Sequence, residues 1–274
     1  MAEISSEKNG LHRTAILALL GSGAVLLAFV ALTPPALLEK LGVIGAVVCH
    51  RLPSHSFFIH EHQTVLCQRC TGTFTAALTG LLVQWGLWKR RRRQGFPRWG
   101  ILALLFLFVA VWGFDGLNSY FTLLPGHRPL LYPPQPWLRL LTGSLVGLGM
   151  SLILVPAFNL TLWRDGGPEP AVDWRDLGYL LLIILAQAAL IYTRADGLLY
   201  PLAFYSALAV LLQLTLLGTM IVVMALGYDN RFSSWREAWP ALAWGLLFAL
   251  ILMAGVLLLR YLSTGTLLGV PGLE

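Results

Sequence analysis

The feature that most constrains this chain is a series of unbroken apolar runs, each about as long as a helix must be to cross the hydrocarbon layer of a bilayer. They fall at residues 14–32, 70–88, 99–114, 138–160, 177–192, 199–225 and 239–261. Only 12% of the 274 residues are charged and 57% are hydrophobic, about half the charged fraction of a soluble domain. A water-soluble core cannot hide that much apolar side chain, so the lipid bilayer is the solvent for most of it. The runs are continuous rather than alternating. They predict an all-α, polytopic transmembrane helix bundle of about seven spans and not a β-barrel.

Residues 1–13 read as a polar cytoplasmic tail, and residues 36–48 as a piece too short to cross. The first apolar run is longer than the core of a signal peptide and lacks a small-x-small cleavage site, so it reads as an anchor. Seven spans put the termini on opposite sides. With the N-terminus inside, 12 basic residues (Lys8, Arg13, Lys89 to Arg93, Arg98, Arg164, Arg175, Arg231 and Arg236) face the cytoplasm and 7 face outward. The excess of positive charge on cytoplasmic loops therefore selects N-in, C-out. The net charge of +6 is largely the block Lys89-Arg90-Arg91-Arg92-Arg93 behind the second run. There it is a topology signal and a lipid-headgroup contact, and no nucleic-acid-binding signature accompanies it.

On this topology one outer loop holds all three cysteines and four of the six histidines, between Cys49-His50-Arg51 and Cys67-Gln68-Arg69-Cys70-Thr71-Gly72. Cys67 and Cys70 at three-residue spacing present two thiols from one helix face or one turn. With Cys49 and His50 they form a Cys3His set suited to zinc or another transition metal. His60 or His62 are possible substitutes for His50, because adjacent ligands on one ion strain the backbone. The competing chemistry is thiol redox: Cys67 and Cys70 as an exchangeable pair, Cys49 as the third partner, Arg69 favouring the thiolate, and quinone as electron acceptor. A bland reading, small buried cysteines and interfacial histidines, stands beside both.

Two further features gather on the outer side. Asp115 and Arg139 stand at the outer ends of the third and fourth spans, and with Arg69 they outline a polar pocket in which Asp115 is expected to pair with Arg139. A proline-rich connector, residues 118–137, lies over it. Gly72, Ala76 and Gly80 in the second span, and Gly143 and Gly147 in the fourth, form small-residue faces that predict close packing of these two helices.

Cys49-His50-Arg51, Ser56-Phe57-Phe58, Cys67-Gln68-Arg69-Cys70-Thr71-Gly72, Asp115-Gly116 and Arg139-Leu140-Leu141-Thr142-Gly143 together resemble an uncharacterised family of prokaryotic integral membrane proteins of the DUF2085 type. The resemblance covers about residues 45–150 and leaves residues 161–274 as an additional three-span region. It implies a prokaryotic inner (plasma) membrane location, and that the cysteines, Asp115 and Arg139 belong to one constellation. It implies no reaction. Arg51, where glutamine looks commoner, and the long connector before Arg139 depart from the pattern. The expectation is a multi-pass membrane protein with a metal-binding Cys/His cluster at its outer face. The alternatives are a quinone-coupled thiol–disulfide oxidoreductase and a non-enzymatic subunit that meets a membrane-protein partner or its own copy. Whether it is an enzyme, and on what substrate, stays open.

Overall fold

The computed structural model describes residues 2–88, 90, 92–122 and 129–269. Lys89 and Arg91 of the basic block, and Pro125 and Arg128 of the proline-rich connector, lie outside the described residues. In chain order the elements are α1 (Ala2–Leu32), α2 (Leu37–Ala46), β1 (Ser56–Ile59), β2 (His62–Cys67), α3 (Gln68–Leu82), β3 (Arg93–Gly95), α4 (Trp99–Phe121), α5 (Pro136–Leu162), β4 (Gly167–Pro170), α6 (Trp174–Tyr192), α7 (Leu199–Ala225) and α8 (Trp235–Thr264). The fold is helical, as the apolar runs predict. Among the described residues six helices are long and apolar enough to cross a membrane: α1 from Thr14, then α4, α5, α6, α7 and α8.

The segment expected as the second span behaves differently. It is α3, only 15 residues of α-helix, continued by a π-helical turn over Val83–Leu87. Thr71, Thr73, Thr75 and Thr79 lower its hydropathy. The physical reason it can afford them is position, since α3 is packed by α5, α6, α7 and β2 and is buried over most of its length. Thr73 and Thr75 return their hydroxyls to the carbonyls of Arg69 and Thr71 in the preceding turn, and Thr79 donates to Gln187. A helix shielded from lipid need not be apolar all round. The same order shows in the outer helices, whose apolar windows are 17% buried in α1 and α4 against 61% in α5.

The expected packing of α3 on α5 is present. A Cβ built on Gly72 would clash with the Leu140 carbonyl, on Gly80 with the Ser151 side chain, on Gly143 with the Arg69 carbonyl, and on Gly147 with the Thr73 carbonyl. Backbone thus meets backbone at Gly72, Gly143 and Gly147, which is how helices gain contact where the surrounding lipid supplies no hydrophobic drive. Both helices begin at the cysteine end. The opposite end is fastened by the basic block: Arg90 pairs with Asp176, Asn159 Nδ2 donates to the Arg93 carbonyl at 2.8 Å, and β3 pairs in parallel with β4.

Two sequence expectations are corrected. Asp115-Gly116 does not close the third span, because α4 runs on to Phe121; the carboxylate has partners that let the helix carry it, described below. The histidine-rich connector is not an irregular loop but an antiparallel hairpin, with Ser56 opposite Cys67, Phe58 opposite Gln63 and Ile59 opposite His62. His60 takes the turn with a positive φ of 52°.

Candidate metal centre

The hairpin explains how distant cysteines meet. Strand β2 ends at Cys67, which is also the N-cap residue of α3, so Cys70 sits in the first helical turn above it. Residues three apart share a helix face, and the two thiols therefore point the same way. Cys49 follows the last turns of α2, which lies on β2 so closely that a Cβ on Gly45 would strike the Val65 carbonyl. The Cys67 amide donates to Cys49 Sγ at 3.2 Å and the Arg51 amide at 3.4 Å. All three sulfurs lie within 4.8 Å of one another. A tetrahedral zinc with Zn–S of ~2.3 Å spaces its sulfurs about 3.8 Å apart, so closure asks for side-chain adjustment and no movement of backbone. Cys49 and Cys67 are buried and Cys70 is half-buried.

The electrostatics favour losing one proton here. Cys67 is held well below the ordinary thiol range, first by hydrogen bonding with Cys49, then with Cys70, against the opposing pull of burial. Cys49 is pushed up to about 12, chiefly by its hydrogen bond to Cys67. The trio thus releases its first proton at Cys67 and needs a cation to release the rest. The two amides on Cys49 Sγ are donors ready for a second thiolate. Cations stand behind them: the Arg51 guanidinium lies against Gly42, and Arg260 of α8 donates to the carbonyls of Ala46 and Cys49, both at 3.1 Å, and of His50 at 3.2 Å.

The histidines divide. His50 adjoins Cys49 in the chain, and its Nδ1 accepts the Leu52 amide at 3.1 Å. With Nδ1 so occupied, only Nε2 of His50 is left to meet an ion or a hydrogen-bond partner. His60 and His62 are not with the cysteines. His60 is at the hairpin turn, paired with Asp196 at 3.3 Å, and His62 opens β2, five strand residues or about 16 Å from Cys67. The alternation and length of the hairpin carry them away, which removes them as substitute ligands. His55 is buried near His50 and held neutral, its pKa lowered to about 4 by burial first and by Arg139 second.

Beside the trio lies the polar pocket, with a different pairing from the expected one. Asp115 pairs with Arg69, not Arg139, and its second oxygen accepts the Tyr132 hydroxyl at 2.9 Å. The Arg69 side chain, in the first turn of α3, reaches Asp115 on α4, whereas Arg139 meets α4 at Ser119 and α3 at Gln68, each at 3.3 Å. Tyr132 is pushed up to about 12, by burial foremost and then by Asp115. Asn118 fixes the connector over this pocket, donating to the Tyr132 carbonyl at 2.8 Å and accepting the Leu131 amide at 3.0 Å. Sequence reasoning missed Gln68, Ser119, Tyr132 and Arg260. Arg260 alone carried a signal, a charge inside an otherwise apolar run.

With this geometry in place the comparisons are informative. Residues 49–153 match the family model DUF2085, described as a predicted membrane protein. The DUF2085 match starts at Cys49 and ends inside α5. It therefore takes in the hairpin, the trio, α3, α4 and the pocket, close to the limits of the resemblance read from the motifs. An archaeal protein of Methanocaldococcus jannaschii, "Uncharacterized protein MJ1492", is 26% identical over 124 residues, covering 45% of this chain and 72% of the relative. No solved structure matches the chain.

Proposed function

We propose that this multi-pass membrane protein holds one transition-metal ion, zinc foremost, on Cys49, Cys67 and Cys70 at the outer end of its helix bundle. The observation that carries this is the convergence of three sulfurs within 4.8 Å from two chain segments, with two backbone amides already aimed at Cys49 Sγ. Three thiolates suit a soft or borderline ion. The ion would join the end of α2 to the start of α3 and so hold the hairpin on the bundle, with the two amides hydrogen-bonding Cys49 Sγ. With no fourth cysteine in reach, a bound ion keeps a position for a water or an exchangeable ligand, the Lewis-acid chemistry of an open zinc site. The outer placement is supported by charge. The basic block and the trio are at opposite ends of α3, and the block belongs with the cytoplasm of a prokaryotic plasma membrane.

Elemental analysis and a thiol count on the same detergent-purified sample test the reading. One equivalent of metal in the intact chain, lost in Cys67→Ser and in Cys70→Ser, is expected. Absence of cysteine-dependent metal overturns it. A Cys67–Cys70 disulfide that cycles on alkylation trapping would put thiol redox in its place.

A further inference from the structure

The pocket beside the trio holds more positive charge than it answers. Arg69 Nη2 and Arg139 Nε both donate to a single hydroxyl, Ser119 Oγ, each at 3.3 Å. One carboxylate, Asp115, serves the pair, and it is already taken by Arg69 and Tyr132. Arg139 is 5% exposed, and among the described residues its hydrogen-bond partners are neutral: the Ser119 hydroxyl and the Gln68 amide oxygen. Arg69 Nε is buried with no partner among the described residues. The trio answers it only in part: Cys67 attracts Arg139, while Arg51 and Arg260 draw on Cys49 from the other side.

A guanidinium cannot shed its proton to escape, so four guanidinia (Arg51, Arg69, Arg139 and Arg260) that share Asp115 and the trio call for a further anion. The backbone adds to the demand. Helices α3 and α5 both begin here, packed side by side, and neither N-cap residue makes a side-chain capping bond. Two positive helix ends therefore point at the same region as the two guanidinia. Donors arrive here from three helices: Arg69 from α3, Ser119 from α4 and Arg139 from α5. That arrangement matches the tetrahedrally disposed oxygens of a phosphate better than the two coplanar oxygens of a carboxylate.

We propose that Arg69 and Arg139, converging on Ser119 where α3 and α5 begin, bind one phosphate oxyanion at the outer mouth of the bundle. The group belongs to an anionic lipid headgroup or to free phosphate, and Ser119 and the first turns of the two helices complete its shell. Asp115, itself held by the Tyr132 hydroxyl, keeps Arg69 in place.

The test uses the full-length protein in a neutral detergent and phosphate-free buffer. One arm follows the thermal unfolding midpoint on titration with sodium phosphate against sodium chloride at equal ionic strength. The other compares retention of phosphatidylglycerol and phosphatidylcholine by native mass spectrometry. A saturable phosphate stabilisation beyond that of chloride identifies free phosphate, and selective retention of phosphatidylglycerol identifies the headgroup. In either case the effect should weaken at least tenfold in Arg139→Gln and persist in Arg164→Gln, an exposed arginine at the far end. Should Arg139→Gln not fold, Arg139→Lys, which keeps the charge but loses the planar fork, is expected to weaken it severalfold. Neither arm responding, or a response indifferent to Arg139, overturns the proposal. Cys67→Ser should retain the phosphate effect, which keeps this result separate from that of the metal analysis.

Discussion

Asp115→Asn is the most informative single change in the pocket. The substitution keeps size and hydrogen-bonding capacity and removes only the charge. The side chains of Arg69 and Asp115 are 18% and 2% exposed, so the pair is buried, and uncoupling a buried pair costs about 3–5 kcal/mol because the remaining charge is left unanswered. A second cost arises here. Both guanidinia are 3.3 Å from Ser119 Oγ, which places the two donor nitrogens no more than roughly 6.6 Å apart, a repulsion of about 2.5 kcal/mol at an effective dielectric of 20. Asp115 masks that repulsion and asparagine does not. For a chain of this size each kcal/mol moves the midpoint by about 2–4 °C, so a fall on the order of 10 °C is expected for Asp115→Asn in phosphate-free detergent solution. Adding Arg139→Gln removes the repelling partner at the loss of two long, neutral hydrogen bonds, and should restore at least a few degrees. A midpoint for Asp115→Asn within about 2 °C of the parent, or a double variant below the single one, would refute the charge accounting on which the pocket rests.

Other outcomes follow from particular residues. Gly143→Ala places a methyl group about 3.0 Å from the Arg69 carbonyl carbon, with its oxygen nearer still; backbone cannot swing aside, so a loss of about 1–3 kcal/mol in detergent unfolding is expected. Gly178→Ala, with nothing within 4 Å of the added carbon, should be neutral or slightly stabilising. Replacing His60 and His62 together by alanine should leave metal stoichiometry unchanged in the elemental assay, because neither approaches the sulfurs. Tyr132 has its folded pKa raised to about 12 by burial and by Asp115, against about 10 in an unfolded chain. Its contribution is therefore complete below pH 10 and lost as pH climbs towards 12. The parent should lose more stability than Tyr132→Phe over that window, read as the difference between their pH–midpoint curves.

Much of the architecture was legible because lipid imposes a simple rule, that a crossing helix must be long and apolar. Runs such as 199–225 obey it, and their limits in the structure agree within a few residues. The rule reads α3 as one more span but cannot see that it stands at the bundle axis, where threonines are tolerated because helices and not lipid surround them. The Gly72–Gly80 and Gly143–Gly147 faces were readable as a seam for the same reason they form one: missing side chains are visible in sequence. The pairing in the pocket was not. Asp115 and Arg139 looked like partners because both mark helix ends, yet which guanidinium reaches a carboxylate depends on helix rotation, and that is set by the glycine seam. The hairpin was hidden too, since its alternation is only a few residues long and its turn is a histidine with positive φ rather than a glycine.

Arg260 carries a consequence for how this molecule can be divided. It lies near the end of α8, outside the DUF2085 match, yet its guanidinium donates to the carbonyls of Ala46, Cys49 and His50. A fragment trimmed to residues 49–153 would keep every sulfur and shed the clamp that holds the first of them. The smallest piece able to assemble this centre is therefore larger than the region shared with relatives, and the final crossing is part of the centre's foundation rather than an appendage.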